Sequence, residues 1–271
     1  MNGHAEDILL REQTPAAQSV EGRRPFVVAV SSGKGGVGKS VIAANLALAL
    51  ALRQRRVLLW DGDFDYPNAH ILFGVEPRGR ANDVYSGRIK LETAIYALGP
   101  ALDLLAGKTG GTTKDAPPAM LRETLDELGS RGYDVVVIDN AAGSQDGTIQ
   151  LCVLADLSIV VATDEPTSIV DAYGLIKILK AHSREGALGL LVNNIIDRDD
   201  ADEVAKKVNL ATEKFLDLHI PLVGFVPYDR MVRQSIVSQA PLIEQSPESE
   251  AAQAIDLTAA TLDRVLAESR R

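Results

Sequence analysis

Among its 271 residues the chain has a single cysteine, Cys152. One cysteine excludes a disulfide framework within the chain and also a C-x-x-C metal site. It sits in Ile149-Gln150-Leu151-Cys152-Val153-Leu154, where the better reading is a small buried core residue. Long apolar runs are missing too, since none reaches the ~20 residues of a membrane-spanning helix. A secretion-type apolar core is lacking at the N-terminus, where Asp7 and Arg11 bracket only three apolar residues. A cytoplasmic location is therefore expected. There is no excess of positive charge: the formal net charge is −9 and the pI about 5.0. That argues against binding nucleic acid through the whole surface, while leaving room for a local basic patch. Internal repeats, heptad runs and low-complexity tracts are absent. What remains, 46% hydrophobic and 24% charged residues, is ordinary for a soluble globular protein with a real core.

The most informative stretch is Ser31 to Ser40, S-S-G-K-G-G-V-G-K-S. It satisfies G-x-x-x-x-G-K-[ST] with Gly33, Gly38, Lys39 and Ser40 at the fixed positions. Before it, Phe26-Val27-Val28-Ala29-Val30 reads as a buried strand. After it, Val41 to Leu50 is rich in helix formers. In a strand–loop–helix context the glycines let backbone N–H groups curl around phosphate oxygens, and the helix start adds its positive end. Lys39 would reach the β- and γ-phosphates, and the Ser40 hydroxyl would sit on Mg²⁺. Lys34 is a second lysine early in the loop; it could fold onto its own phosphates or point outward.

From Phe26 onward strand and helix patterns alternate. Strands are predicted at 26–31, 56–60, 102–105, 134–139, 157–163, 187–193 and 222–226. Helices are predicted at 38–53, 117–129, 147–155, 167–182, 200–217 and 248–268. Near-continuous Val/Ile strands such as Val135-Val136-Val137-Ile138 imply burial on both faces. The alternation implies one α/β domain, a mostly parallel twisted sheet with helices on both faces. Residues 1–24 read as a mobile arm, in which Ile8, Leu9 and Leu10 could form a short docking turn. The domain itself is expected over 25–247, with 248–271 as a C-terminal helix packed on it.

In such sheets ligands gather at the carboxyl ends of the strands. The second strand runs into Asp61-Gly62-Asp63-Phe64-Asp65. Asp-Gly is turn chemistry, which accounts for Gly62 but not for three carboxylates in five residues. Paired carboxylates there can hold Mg²⁺ through waters and orient an attacking water. Four apolar residues then an acid, Val135 to Asp139, form a Walker B arrangement: Asp139 would bind Mg²⁺ through a water, and Gly143 could offer its N–H to the γ-phosphate. Thr163 to Ser168 ends a strand and caps a helix. Asn193 and Asn194 end another strand; an Asn can pair with an adenine edge or simply satisfy loop backbone. Arg230 and Arg233, beyond the last strand, are solvated helix charges or part of a dimer face.

The loop G-K-G-G-V-G-K-S at 33–40, D-x-D at 61–63, V-V-I-D-N-A-A-G at 136–143 and E-P-T-S-I-V-D-A-Y at 165–173 together resemble the MinD/ParA family of P-loop ATPases, most of all its FlhG (FleN) branch. The resemblance runs from Phe26 to about Gln253. It implies a deviant Walker A loop whose early lysine, here Lys34, crosses a homodimer interface to the partner's ATP. It implies that Asp63 orients the hydrolytic water with Asp61 upstream of it. It favours Asn193 for the base, with Pro227 in a loop lining the same pocket. The implied ATP-binding set is Gly33, Lys34, Gly35, Gly36, Val37, Gly38, Lys39, Ser40, Gly143, Asn193 and Pro227. By the same resemblance Lys34, Asp63 and Lys39 would serve catalysis, Ser40, Asp61 and Asp139 would serve the metal, and the expected cofactors are ATP and Mg²⁺.

The implied function is an ATPase switch. ATP drives dimerisation, hydrolysis is slow and partner-stimulated, and the output is the placement or number of a cellular structure, with flagella first. The implied partners are a homodimer mate and a flagellar or other polar-positioning protein, with no specific nucleic acid expected. MinD and many FlhG members of the family end in a basic amphipathic helix with bulky apolar residues that lies on membrane. Here Leu262, Val265 and Leu266 lack a Trp or Phe companion, and Arg264, Arg270 and Arg271 are offset by Asp256, Asp263 and Glu268, so packing on the domain explains the stripe better than peripheral membrane contact. A ParA-type DNA-associated partition ATPase shares the loop but needs a basic face. A metal-cluster carrier generally needs cysteine ligands, and one per chain argues against it. A nucleotide-gated binding module with negligible turnover is the remaining alternative.

Overall fold

In the computed structural model, residues 24–107, 118–182 and 186–269 are described. The expected arm lies outside these residues except for Arg24, as do Arg270 and Arg271. Arg24 donates to the Leu154 carbonyl and lies 3.4 Å from the Asp156 carboxylate, so the chain is tied down from that point on.

Eight strands form one sheet: β1 (Phe26–Ser32), β2 (Val57–Gly62), β3 (Ile95–Ala97), β4 (Leu102–Leu105), β5 (Val135–Ala142), β6 (Leu157–Ala162), β7 (Ala187–Ile195) and β8 (Leu222–Pro227). Their order is β3-β4-β2-β5-β1-β6-β7-β8, parallel throughout except for β3 against β4. The helices are α1 (Lys39–Leu52), α2 (Ala81–Tyr85), α3 (Leu91–Ala94), α4 (Pro118–Ser130), α5 (Asp146–Leu154), α6 (Pro166–His182), α7 (Arg198–Leu216), α8 (Arg230–Ser238), α9 (Leu242–Gln245) and α10 (Glu250–Ser269). Val135, Val136, Val137 and Ile138 are wholly buried because both faces of the sheet are covered. One core joins α4, α5, α6 and α7 to one face; the other joins α1, α9 and α10 to the opposite face.

α1 is apolar almost all round, since it is sandwiched between the sheet and α10. α10 turns Ile255, Leu262 and Leu266 inward, each contributing roughly 1.5–3 kcal/mol by burial. Two ion pairs tie its flank to α1 and the turn after it: Arg53 with Asp256 at 2.6 Å and Arg55 with Asp263 at 2.5 Å.

The seven predicted strands are all present, and their differences lie at the ends that matter. β2 runs on through Asp61 and Gly62, β5 through Asp139 to Ala142, and β7 through Asn193 to Ile195. The cause is the ladder: Asp61 pairs with Asp139 and Gly62 with Asn140, so tertiary hydrogen bonds overrule the turn preference of Asp-Gly. β3 and the short helices α2, α3, α8 and α9 have no counterpart among the predicted ranges, although Arg230 and Arg233 of α8 read in sequence as helix charges or part of a dimer face. β3 is three half-exposed residues on the edge, too short to show a period. α8 starts where the Asp229 side chain accepts the Met231 N–H at 2.8 Å, an N-cap hidden behind the helix-poor run Val-Pro-Tyr-Asp.

Candidate active site

The loop after β1 ends at Gly38, which caps α1 in the left-handed conformation, φ 93°, with its backbone fitted under the Asn193 amide. A methyl at Gly38 would lie 2.4 Å from Asn193 Nδ2, and that amide donates to the Val37 carbonyl at 2.7 Å. At the other end, a methyl at Gly33 would lie 2.1 Å from the Asp171 carbonyl of α6. Ser32 Oγ, inside the loop's first turn, donates to the Lys34 carbonyl at 2.6 Å. The loop is thus braced by α6, β7 and its own serine before any ligand arrives. Gly33→Ala should push it off α6 and weaken ATP binding at least about tenfold, measured by titration with a fluorescent ATP analogue, since small misplacements of binding groups are costly.

The two loop lysines are divided. Lys39 is only 8% exposed and faces Asp139 and Asp63; burial pulls its pKa down, and those carboxylates push it back up. Lys34 points out of the loop, where its ammonium pairs with Glu165 and lies 3.1 Å from Thr167 Oγ1. Glu165 and Thr167 open α6, next to Ser168, whose hydroxyl accepts the Thr163 N–H at 2.9 Å.

Asp139 and Asp61 are both buried on adjacent strands. Burial is the first cause that pushes Asp139 up to about 7; the Ser40 hydroxyl and Lys39 pull it down. Asp61 is also raised, by burial and then by Asp139. One Asp139 oxygen, Oδ1, is buried with no hydrogen-bond partner, as expected of an atom awaiting a cation shell. Asp61 is otherwise occupied: Oδ1 accepts the Asp63 N–H at 3.2 Å and Oδ2 the Ala69 N–H at 3.0 Å, so it shapes the backbone from 63 to 69. No cluster of three or more His, Cys, Asp or Glu able to hold a metal occurs among the described residues. A site of one carboxylate and one hydroxyl suits Mg²⁺ bound mainly by waters and phosphates, so Ser40 and Asp139 fit the ion.

Two expected roles meet competing bonds. Asp63 Oδ1 accepts the N–H groups of Asp65 and Tyr66 at 3.1 and 2.9 Å, which leaves Oδ2 to face a water. The Gly143 N–H is donated to the Ser32 carbonyl at 2.8 Å, so serving a γ-phosphate requires this turn to swing away from β1.

A cavity of about 340 Å³ opens beside the loop, lined by Lys34 to Gly38, Asn193, Asn194, Val226, Val232 and Ile236. That is at the small end of the range for small-molecule sites. Asn194 takes φ 60°, a conformation Asn tolerates, which turns β7 away beneath Asn193. Pro227 is not among the lining residues; it pairs with Ile195 at the strand tips, and its neighbour Val226 lines the wall. Val232 and Ile236 on α8 escape the sequence reading; their i, i+4 spacing is the available signal. Glu165 reads in sequence as part of a capping run, and its bond to Lys34 has no local signature.

A family profile described as "ParA: NUBPL iron-transfer P-loop NTPase" matches residues 25–263. The chain belongs to the ParA family of P-loop NTPases. It is 35% identical over 242 residues to the antiactivator FleN of Pseudomonas aeruginosa, covering 88% of this chain and 86% of that one. It is 28% identical over 239 residues to the flagellum site-determining protein YlxH of Helicobacter pylori, covering 87% and 81%. In fold it is similar to the septum site-determining protein MinD of Pyrococcus horikoshii complexed with Mg-ADP, with a TM-score of 0.76, 27% identity, and coverage of 89% of this chain and 97% of that one. The iron in the family description finds no ligands at Cys152, which is buried between Ser31 and Asn140. Among the described residues no helix is long and apolar enough to cross a membrane.

Proposed function

We propose that the chain is a Mg²⁺-dependent ATP hydrolase working as a switch in the cytoplasm. ATP closes a homodimer, a partner protein stimulates slow hydrolysis, and the cycle sets the place or number of flagella. The observation that carries this reading is the division of the loop lysines: Lys39 is buried against Asp139, while Lys34 leans outward onto α6. An ordinary phosphate site needs only the first; the outward lean of the second supports a role on a phosphate that is not its own. The similarity to a flagellum site-determining protein supports the flagellar output. Mg²⁺ would supply charge neutralisation at the β- and γ-phosphates from Ser40 and Asp139. Lys39 and the loop N–H groups hold the triphosphate, and Asp63 orients the attacking water. The ion pairs of α10 with Arg53 and Arg55 support a structural role for it over a lipid one.

Asp63→Ala should lower ATP turnover by about a hundredfold while ATP affinity stays within about threefold, because the residue positions water and not nucleotide. Steady-state phosphate release and analogue titration check it. Equal turnover in variant and wild type would remove Asp63 from the reaction.

A further inference from the structure

Asn140 comes directly after Asp139 in β5. Successive strand residues face opposite sides, so when Asp139 points to Lys39 and Ser40, Asn140 points into the core beneath α5. There its amide nitrogen donates to Ser31 Oγ at 2.9 Å and lies 3.3 Å from Cys152 Sγ, and Ser31 Oγ lies 3.1 Å from the same sulfur. Its Oδ1 is buried without a hydrogen-bond partner and stands 3.2 Å from where a Gly62 Cβ would be. One amide therefore meets β1, β2 and α5 at the level where the strands turn into the loops around the nucleotide.

The strand register gives this contact its importance. Val30 pairs with Asp139 but Ser32 with Ala142, so β5 carries one residue more than β1 between those pairs, a β-bulge. A bulge bends its strand and re-aims the residues beyond it. Here the strand tip turns back until the Gly143 N–H reaches the Ser32 carbonyl at 2.8 Å. The bond from Asn140 to Ser31 spans that bulge from beneath. Burying an amide with its carbonyl unpartnered is unfavourable, and an apolar residue would carry no such penalty. Its donor half supplies the reason for its presence.

We propose that Asn140 is a positioning residue for hydrolysis: its amide locks the β5 bulge and so fixes Asp139 and the Gly143 turn relative to the phosphate loop, without touching nucleotide. This rests on the ATPase reading of the site. Asn140 acts on the Mg²⁺ side of the site and on the turn that must swing to meet a γ-phosphate, not on ATP capture. Its loss therefore separates kcat from KM.

The test compares wild type with Asn140→Ala, Ser31→Ala, the double variant and Ser158→Ala. Ser158→Ala removes a bond to the Cys152 carbonyl in the same core and serves as the control for mere loosening. ATP turnover is measured against ATP and against Mg²⁺, and hydrogen exchange at Gly143 is followed in nucleotide-free protein. Asn140→Ala and Ser31→Ala should each lower kcat by about tenfold or more and raise the Mg²⁺ needed for half-maximal turnover, with KM for ATP within about twofold. In kcat the double variant should be no worse than either single one, because both remove the Asn140–Ser31 bond across the bulge. Gly143 exchange should accelerate in both and stay as in wild type in Ser158→Ala. Unchanged Gly143 exchange in Asn140→Ala, or an equal kcat loss in Ser158→Ala, would overturn the proposal. Should Asn140→Ala fail to fold, Ser31→Ala carries the same readouts. A wild type without turnover would sink the ATPase reading instead, and exchange at Gly143 would still decide whether Asn140 locks the bulge.

Discussion

Lys34→Ala is expected to leave the chain monomeric with a non-hydrolysable ATP analogue and Mg²⁺, at concentrations where the wild type is expected to dimerise. In a closed dimer the Lys34 ammonium would lie against the partner's phosphates, away from water. Truncating one member of such a buried charge pair costs about 2–5 kcal/mol, or roughly thirtyfold to several thousandfold in dimer affinity. Glu165→Gln should act in the opposite direction and far more weakly. Glu165 holds the Lys34 ammonium in this structure, and that hold would have to break for the lysine to cross a dimer interface. The pair is open to solvent, with the two side chains 35% and 59% exposed, so it contributes at most about 1 kcal/mol. The variant should then dimerise at up to about fivefold less ATP analogue. Light scattering or analytical ultracentrifugation across an analogue titration reads both effects. A Lys34→Ala chain that dimerises as readily as wild type would remove the lysine from the interface, whatever Glu165→Gln does.

The fold is legible in the sequence because its strands are buried on both faces. Val27 to Val30 and Val135 to Ile138 cannot satisfy a half-exposed sheet, and the helical stretches between them leave little but a parallel α/β arrangement. β3, α2, α3 and α9 are not legible, because three to five residues carry no period, and the bounds of α8 are not, because its cap lies in a Val-Pro-Tyr-Asp turn. At the site, the phosphate loop announces itself through glycine spacing, a local property. The braces on that loop do not. The Asp171 carbonyl behind Gly33, the Asn193 amide behind Gly38, and Glu165 under Lys34 are each more than a hundred residues away in the chain. Such contacts depend on strand order, which puts β6 beside β1 and β7 next beyond it, and no window of sequence contains them. Asn140 is the same case: a residue beside a recognisable aspartate whose role depends on a register slip between two strands.

Asp139→Asn is expected to stabilise the nucleotide-free protein at pH 8 while abolishing Mg²⁺-dependent turnover. Burial raises the Asp139 carboxyl from its ordinary 3.8 to about 7 in the folded chain. Between those values the folded state holds a proton that the unfolded state has released, so stability falls as pH rises through that window and stays lowered above it. At about 1.4 kcal/mol per unit, the loss by pH 8 is at most about 4 kcal/mol. Asp61, raised by the same burial, adds in the same direction. An Asn at 139 carries no charge to bury, so its melting temperature should exceed that of wild type by roughly 5 °C or more at pH 8, and by much less at pH 5. Wild type with Mg²⁺ and ATP should recover most of that deficit, because a cation on the ionised Asp139 replaces the missing solvent. Its affinity for the pair should rise with pH through about 7 for the same reason. Thermal melts of both chains at pH 5 and 8, with and without Mg²⁺ and ATP, make the comparison. If Asp139→Asn melts below wild type at pH 8 without ligand, the two buried carboxylates are not a strained pair, and the pull that would bring Mg²⁺ to this end of the sheet must come from elsewhere.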